Sequence, residues 1–237
     1  GAALIGRVLE DAGFRVGIMA QPDCRNMDDF KALGRPKLFF GVSAGNLDSM
    51  VANYTANKKI RNIDDYSPGG RSHLRPDRAS IIYANKLQQA YKGVAIVLGG
   101  MEASMRRLAH YDYWSDKVRR SLLLDAKCDI LVYGMGEKQM LEIAERLQDG
   151  EEIHSLDNVR GTVVARKDLD AVKDPVIIPS FEDVSKDKHK FNRAFKDIYA
   201  EADPVRGRAV VQKHADRFVV QYPPALPMTT EELDKVY

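Results

Sequence analysis

Three apolar runs in this chain stop in the same way. LFFGVSAG ends at Gly45, VAIVLGG at Gly100 and DILVYGMG at Gly136. After each one the pattern turns helical at once. Short continuous apolar runs that alternate with helical stretches mark strands of a parallel sheet covered on both faces. Parallel neighbours cannot be joined by a hairpin, so each strand needs a crossover helix. In such sheets ligands bind beyond the carboxyl ends of the strands, where the strand order reverses. Glycine lets a backbone approach a ligand closely, and a helix N-terminus offers unpaired amides to an anion. The candidate cofactor-binding residues are therefore Ser43, Gly45, Gly99, Gly100, Glu102, Ser104, Gly134, Gly136 and Glu137. A strand-to-helix turn often needs glycine for its own geometry, so the functional reading rests on three such turns in register.

The pattern extends along the first 150 residues. A helix with Ala3, Leu4, Val8 and Leu9 on one face ends at Gly13. A short apolar strand is expected over 15–21, a helix over 27–34, a strand over 37–45, and a helix over 46–55 with Asn46 as its cap. Residues 56–78 are polar and rich in proline and glycine, and read as an exposed excursion. An amphipathic helix over 78–93, a strand over 94–100, a mostly helical stretch over 101–127, a strand over 129–136 and a helix over 137–150 follow. The expected fold class is α/β: a Rossmann-like, doubly wound, mostly parallel sheet over 1–150. A smaller α+β extension and linker covers 151–237. There, TVVARKDL and PVIIPSF read as strands, 180–203 as a charged helix, and TTEELDKVY as a new helix capped by Thr229 or Thr230. A helix that starts so near the end suggests that the parent sequence continues.

Composition narrows the class. The 36 basic and 34 acidic residues, a net charge of +2, argue against a dedicated nucleic-acid or membrane surface, with room left for a local basic patch. No apolar run approaches the roughly 18 residues of a membrane span. Two cysteines, Cys24 and Cys128, support neither a disulfide framework nor a metal cluster, and a reducing cytoplasm fits them. The five histidines are scattered and offer no paired metal-ligand spacing.

HYDYWSD, residues 110–116, holds the only tryptophan. His110, Asp112, Ser115 and Asp116 are chemically suited to a triad, but no strained G-x-S-x-G elbow presents a serine. On a helix, Tyr113, Trp114 and Val118 would share the buried stripe. Arg106, Arg107, Arg119 and Arg120 are solvated charge, an anion-binding wall or a docking surface. RSHLRPDR, residues 71–78, is the densest basic patch, but it lacks the interleaved aromatics of an RNA surface.

Two segments resemble the cobalamin-binding domain that precedes many radical SAM barrels. VLGGMEAS is similar to its strand and GGxHAT loop, and DILVYGMGEKQMLEIAERLQDGEEI to its D-x-V-x-x-G-x-G-E segment. Block after block then resembles the N-terminal region of the YgiQ-type radical SAM family: GRVLEDAGFRVGIMAQPD, LFFGVSAGNLDSMVANYTANKKIR, RPDRASIIYANK, GGMEASMRRLAHYDYWSDKVRRS and PPALPMTTEELDKV. Residues 150–205 match least.

This resemblance implies a larger protein. A first, central strand lies upstream of Gly1 in that family, so the sheet over 1–150 should look incomplete. Downstream lies a barrel whose Cys-x3-Cys-x2-Cys motif holds a [4Fe–4S] cluster that binds S-adenosylmethionine. Cys24 and Cys128 lack that spacing, so this chain is expected to carry no cluster and no catalytic residue. Glu102 stands where cobalamin-binding relatives often carry histidine, which argues against tight corrin binding. The expected function is an accessory domain whose partners are a radical SAM barrel of the same polypeptide and a small-molecule ligand. The runner-up is a stand-alone module for a nucleotide or another phosphorylated small molecule.

Overall fold

The computed structural model describes residues 1–236. Its first half runs α1 (Ala2–Asp11), α2 (Asp28–Lys31), β1 (Phe40–Val42), α3 (Ser49–Asn53), α4 (Ala79–Ala90), β2 (Ile96–Leu98), α5 (Gly100–Met105), β3 (His110–Asp112), β4 (Lys117–Arg119), α6 (Leu122–Asp125), β5 (Ile130–Val132) and α7 (Glu137–Gln148). The second half adds β6 (Thr162–Arg166), β7 (Val176–Ile178), α8 (Phe181–Val184), α9 (Lys188–Ala200), β8 (Val210–His214), β9 (Arg217–Gln221) and α10 (Thr230–Val236).

Seven strands form one sheet in the order β1-β2-β5-β6-β9-β8-β7. The strands of the first half, β1, β2 and β5, are all parallel. β6 then pairs antiparallel with β5, β9 lies antiparallel to both β6 and β8, and β7 runs parallel to β8. The sheet therefore continues through residue 150 without a break.

Side chains alternate across a strand, and here both faces are apolar. Ile96, Leu98, Leu131, Val163, Val210 and Val219 face one core with Phe30, Tyr83, Leu87, Ala103, Leu122 and Leu123. Val97, Ile130, Val132, Val164, Val211 and Val220 face the other with Met140, Ile143, Leu156 and Val159. α2, α4, α5, α6, α8 and α9 thus cover the first face, and α7 covers the second with α1 packed against it. This is the doubly wound α/β arrangement that the alternating runs predict.

Two expected elements differ. Residues 15–21 form no strand. They make no backbone–backbone hydrogen bond among the described residues, leave Ile18 54% exposed, and bend at Gln21, φ +48°. A strand needs a partner, and β1, the sheet edge, is bonded only to β2. The stretch 101–127 is not mostly helical. Its first helix ends at Met105, β3 and β4 form a separate antiparallel hairpin that turns at Asp116, φ +52°, and the short α6 follows. His110, Tyr111 and Asp112 alternate half-buried, exposed and buried, which is strand periodicity. Tyr113 is consequently exposed rather than part of a buried helical stripe, while Val118 still packs on the core.

Helix termini follow local chemistry. Asp48, not Asn46, caps α3 by accepting from the Met50 and Val51 amides. At α10, Thr229 Oγ1 accepts from the Glu232 amide while Glu232 accepts from the Thr229 amide, a reciprocal capping box. The excursion after α3 is pinned by a buried ion pair, Arg75 to Asp64 at 3.3 Å.

Candidate functional site

β1, β2 and β5 are parallel neighbours, so the turns that follow them meet at one edge. Gly100 (φ +82°) and Gly134 (φ +73°) occupy backbone conformations that favour glycine. A Cβ on Gly100 would lie 3.2 Å from Ser43 Cβ, which puts the first and second turns in contact. Ser104 Oγ joins the second and third turns. It donates to the Gly100 carbonyl at 2.8 Å and accepts from the Gly134 amide at 3.2 Å. Ser43 Oγ accepts from the Gly45 amide at 3.3 Å, and Arg75 donates to the Ala44 carbonyl. Gly99 is tied to β1 through the Val42 carbonyl, and Gly136 packs on Val132 and Met140. Seven of the nine expected residues, Ser43, Gly45, Gly99, Gly100, Ser104, Gly134 and Gly136, thus lie on three adjoining turns. Met101, Met105 and Met135 stand exposed on the same turns.

Glu102 is placed differently from its expected position on the edge. It is 1% exposed and points inward. Its Oε2 accepts from Ser49 N at 2.8 Å and from Ser49 Oγ at 2.5 Å, and its Oε1 accepts from Ser80 N at 3.0 Å. Ser49 Oγ in turn accepts from the Ala79 amide. One carboxylate therefore ties together the starts of α3 and α4, where helix dipoles favour negative charge. Glu137 is also buried, in the first turn of α7, and its Oε2 has no hydrogen-bond partner among the described residues.

Of the arginines that read as solvated charge, Arg106, Arg107 and Arg119 are half-buried and engaged, while Arg120 remains exposed. Arg106 pairs with the Asp48 carboxylate, Arg78 with Asp112 at 2.6 Å, and both Arg119 and Arg120 with Asp125. Arg107 lies with its guanidinium 4.8 Å from the centre of the Tyr133 ring. It donates to Gln221 Oε1 and to the Ser104 carbonyl, each at 2.7 Å. Desolvation lowers its pKa, and no carboxylate pairs with it among the described residues. Only the repeat of small residues at strand ends was readable beforehand. The inward turn of Glu102 and the roles of Ser49, Ser80 and Gln221 depend on contacts between residues far apart in sequence.

No triad assembles. Burial pushes the His110 imidazole down to about 4, and its Nδ1 lies 3.1 Å from the Leu108 carbonyl. Ser115 Oγ donates to Asp112, not to a histidine. Among the described residues no group of three or more His, Cys, Asp or Glu side chains is arranged to hold a metal. Cys24 is raised to about 11 by burial, and burial also raises Cys128.

The family model described as radical SAM N-terminal matches residues 1–237. The chain belongs to that family. Among its relatives is a UPF0313 protein of Methanocella arvoryzae, 53% identical over 237 residues, all of this chain and 40% of that protein. A UPF0313 protein of Clostridium botulinum is 54% identical over the same length, 37% of its own chain. One from Clostridium perfringens is 52% identical over 238 residues, 36% of its length. The radical SAM N-terminal chain thus spans about two fifths of the curated relatives it matches. No solved structure matches it. No helix among the described residues is long and apolar enough to cross a membrane.

Proposed function

We propose that this chain is the accessory domain of a YgiQ-type radical SAM enzyme, with a cobalamin-domain-like sheet that supports a catalytic barrel elsewhere in the polypeptide. The observation that carries the reading is the family match over the whole chain, combined with relatives well over twice as long. The residues present do not fit a [4Fe–4S] cluster, since the chain has only two cysteines and no group of three or more His, Cys, Asp or Glu side chains among the described residues is arranged to hold a metal. The cluster and S-adenosylmethionine belong to the rest of the protein. A corrin fits poorly as well. The three turns carry no imidazole, and Glu102 is fully engaged inside the fold. The surface offered to the barrel or to a small ligand is the edge of Ser43, Gly45, Gly99, Gly100, Ser104, Gly134 and Gly136, with Glu137 beneath it.

The same reading accounts for the open side of the sheet. A segment outside residues 1–237 would run beside β1 as a further strand and bring 15–21 into register on its far side. The bare edge of β1 and the unpaired backbone of 15–21 support this. Parallel sheets are normally covered, and an open strand edge invites pairing.

Anaerobic iron–sulfur reconstitution tests the division of labour. The full-length polypeptide should take up a [4Fe–4S] cluster and cleave S-adenosylmethionine under reduction, whereas the 237-residue chain should do neither. Stoichiometric cluster in the short chain, or none in the full-length protein, would refute the proposal.

A further inference from the structure

A second recess lies away from the glycine turns. The chain leaving α3, the start of α4 and the β3–β4 hairpin border an open recess of about 260 Å³, lined by Met50, Tyr54, Lys58, Arg78, Trp114 and Ser115. Its aromatic floor is pre-arranged. The rings of Tyr54 and Trp114 lie 5.2 Å apart at 41°, and Tyr113 braces Trp114 edge-on at 5.3 Å. The Tyr54 hydroxyl donates to Asp77 at 2.7 Å, and Tyr113 donates to the Ala56 carbonyl at 2.7 Å, so neither ring turns freely.

Two cations border that floor, and they differ. The Arg78 charge is offset by Asp112 at 2.6 Å. Arg78 also holds φ +51° at the start of α4, so its side chain leaves the backbone from an uncommon conformation. Lys58 has no carboxylate partner among the described residues. Its ammonium sits 4.7 Å from the centre of the Tyr113 ring and donates to the Trp114 carbonyl at 3.4 Å. The recess therefore combines a tilted pair of aromatic rings, a lysine ammonium with no carboxylate partner among the described residues, and a guanidinium edge.

We propose that this recess binds a nucleoside monophosphate, with the base against Trp114 and Tyr54 and the phosphate towards Lys58 and Arg78. Base–aromatic stacking and a charge-assisted phosphate contact are the interactions such a lining provides. The site is independent of the glycine edge and of the chemistry assigned to the barrel.

The single tryptophan makes the test direct. Adenosine monophosphate is titrated into the 237-residue chain while Trp114 fluorescence is followed, with calorimetry as the second readout. Saturable quenching is expected, with adenosine and ribose 5-phosphate each weaker than the monophosphate. A short oligoadenylate, run in parallel, separates a free nucleotide from a strand end as the source of the ligand. Lys58 is exposed, so Lys58→Ala should fold normally and weaken binding about tenfold, the loss of one charge-assisted contact. The proposal is overturned by no saturable signal up to about 10 mM, where even a millimolar site fills. It is equally overturned if Lys58→Ala binds like the parent, or if ribose 5-phosphate binds as tightly as the monophosphate.

Discussion

The two sides of the parallel unit β1-β2-β5 are treated very differently. On the β5 side, β6 docks antiparallel and the sheet continues to β7, with Leu131, Val163 and Val210 wholly buried. On the β1 side the sheet stops, and RVGIMAQ, which could have supplied a further strand, has no backbone partner among the described residues. Both DILV at β5 and RVGIMA are short apolar runs after a helix. One became a strand and the other did not. Apolar content makes a segment able to enter a sheet, but the hydrogen-bonding partner decides whether it does.

The largest expected effect breaks the closed side. Leu131→Asp places an unpaired charge in a core where the native side chain is fully buried. It should cost at least about 4 kcal/mol, a large share of the stability of an ordinary domain, as read by urea denaturation. The matching change on the open side, Ile18→Asp, should shift stability by less than about 1 kcal/mol in the 237-residue chain. In the full-length polypeptide the same change should cost clearly more, because an added strand would bury Ile18. Equal cost in both proteins would remove the asymmetry.

Glu102 comes next. Glu102→Ala would leave Ser49 N, Ser49 Oγ and Ser80 N without their acceptor in a buried site. A loss of about 3 kcal/mol or more is expected from chemical denaturation. A near-neutral result would mean that α3 and α4 are held at their starts by something else.

The hairpin supplies a pH effect. His110 has a folded-state pKa of about 4 against an ordinary 6.5, chiefly because burial disfavours its charged form. The unfolded chain therefore binds the extra proton as pH falls below 6.5, and stability drops until about pH 4. The loss is at most about 3 kcal/mol from this group. His110→Asn should flatten that part of the stability profile; an unchanged profile would place the titration elsewhere. The smallest effect is at the turns. Ser104→Ala removes the link between Gly100 and Gly134 and should cost under about 1 kcal/mol, seen as a small drop in Tm.

Much of this was legible in the sequence. The apolar runs near Val42, Leu98 and Val132 gave the parallel unit, because period and small-residue stops are local properties. The register of the glycine turns followed, since parallel strands put like ends together. What stayed hidden was set by distant contacts. HYDYWSD satisfies a helical stripe as well as a strand alternation, and only the pairing of His110 with Arg119 and Asp112 with Lys117 settles it. The carboxylate of Glu102 was placed on the edge because helix starts favour acids. The Ser49 and Ser80 donors that turn it inward lie 53 and 22 residues away in sequence.

Amide hydrogen exchange tests the central claim most directly, comparing the 237-residue chain with the full-length polypeptide. In the short chain, amides of 15–21 should exchange at nearly unprotected rates while those of 130–132 exchange slowly. In the full-length protein, amides within 15–21 should become protected by the added strand, with 130–132 unchanged. Identical, fast exchange of 15–21 in both proteins would contradict the account, because the open side of the sheet would then be its finished state.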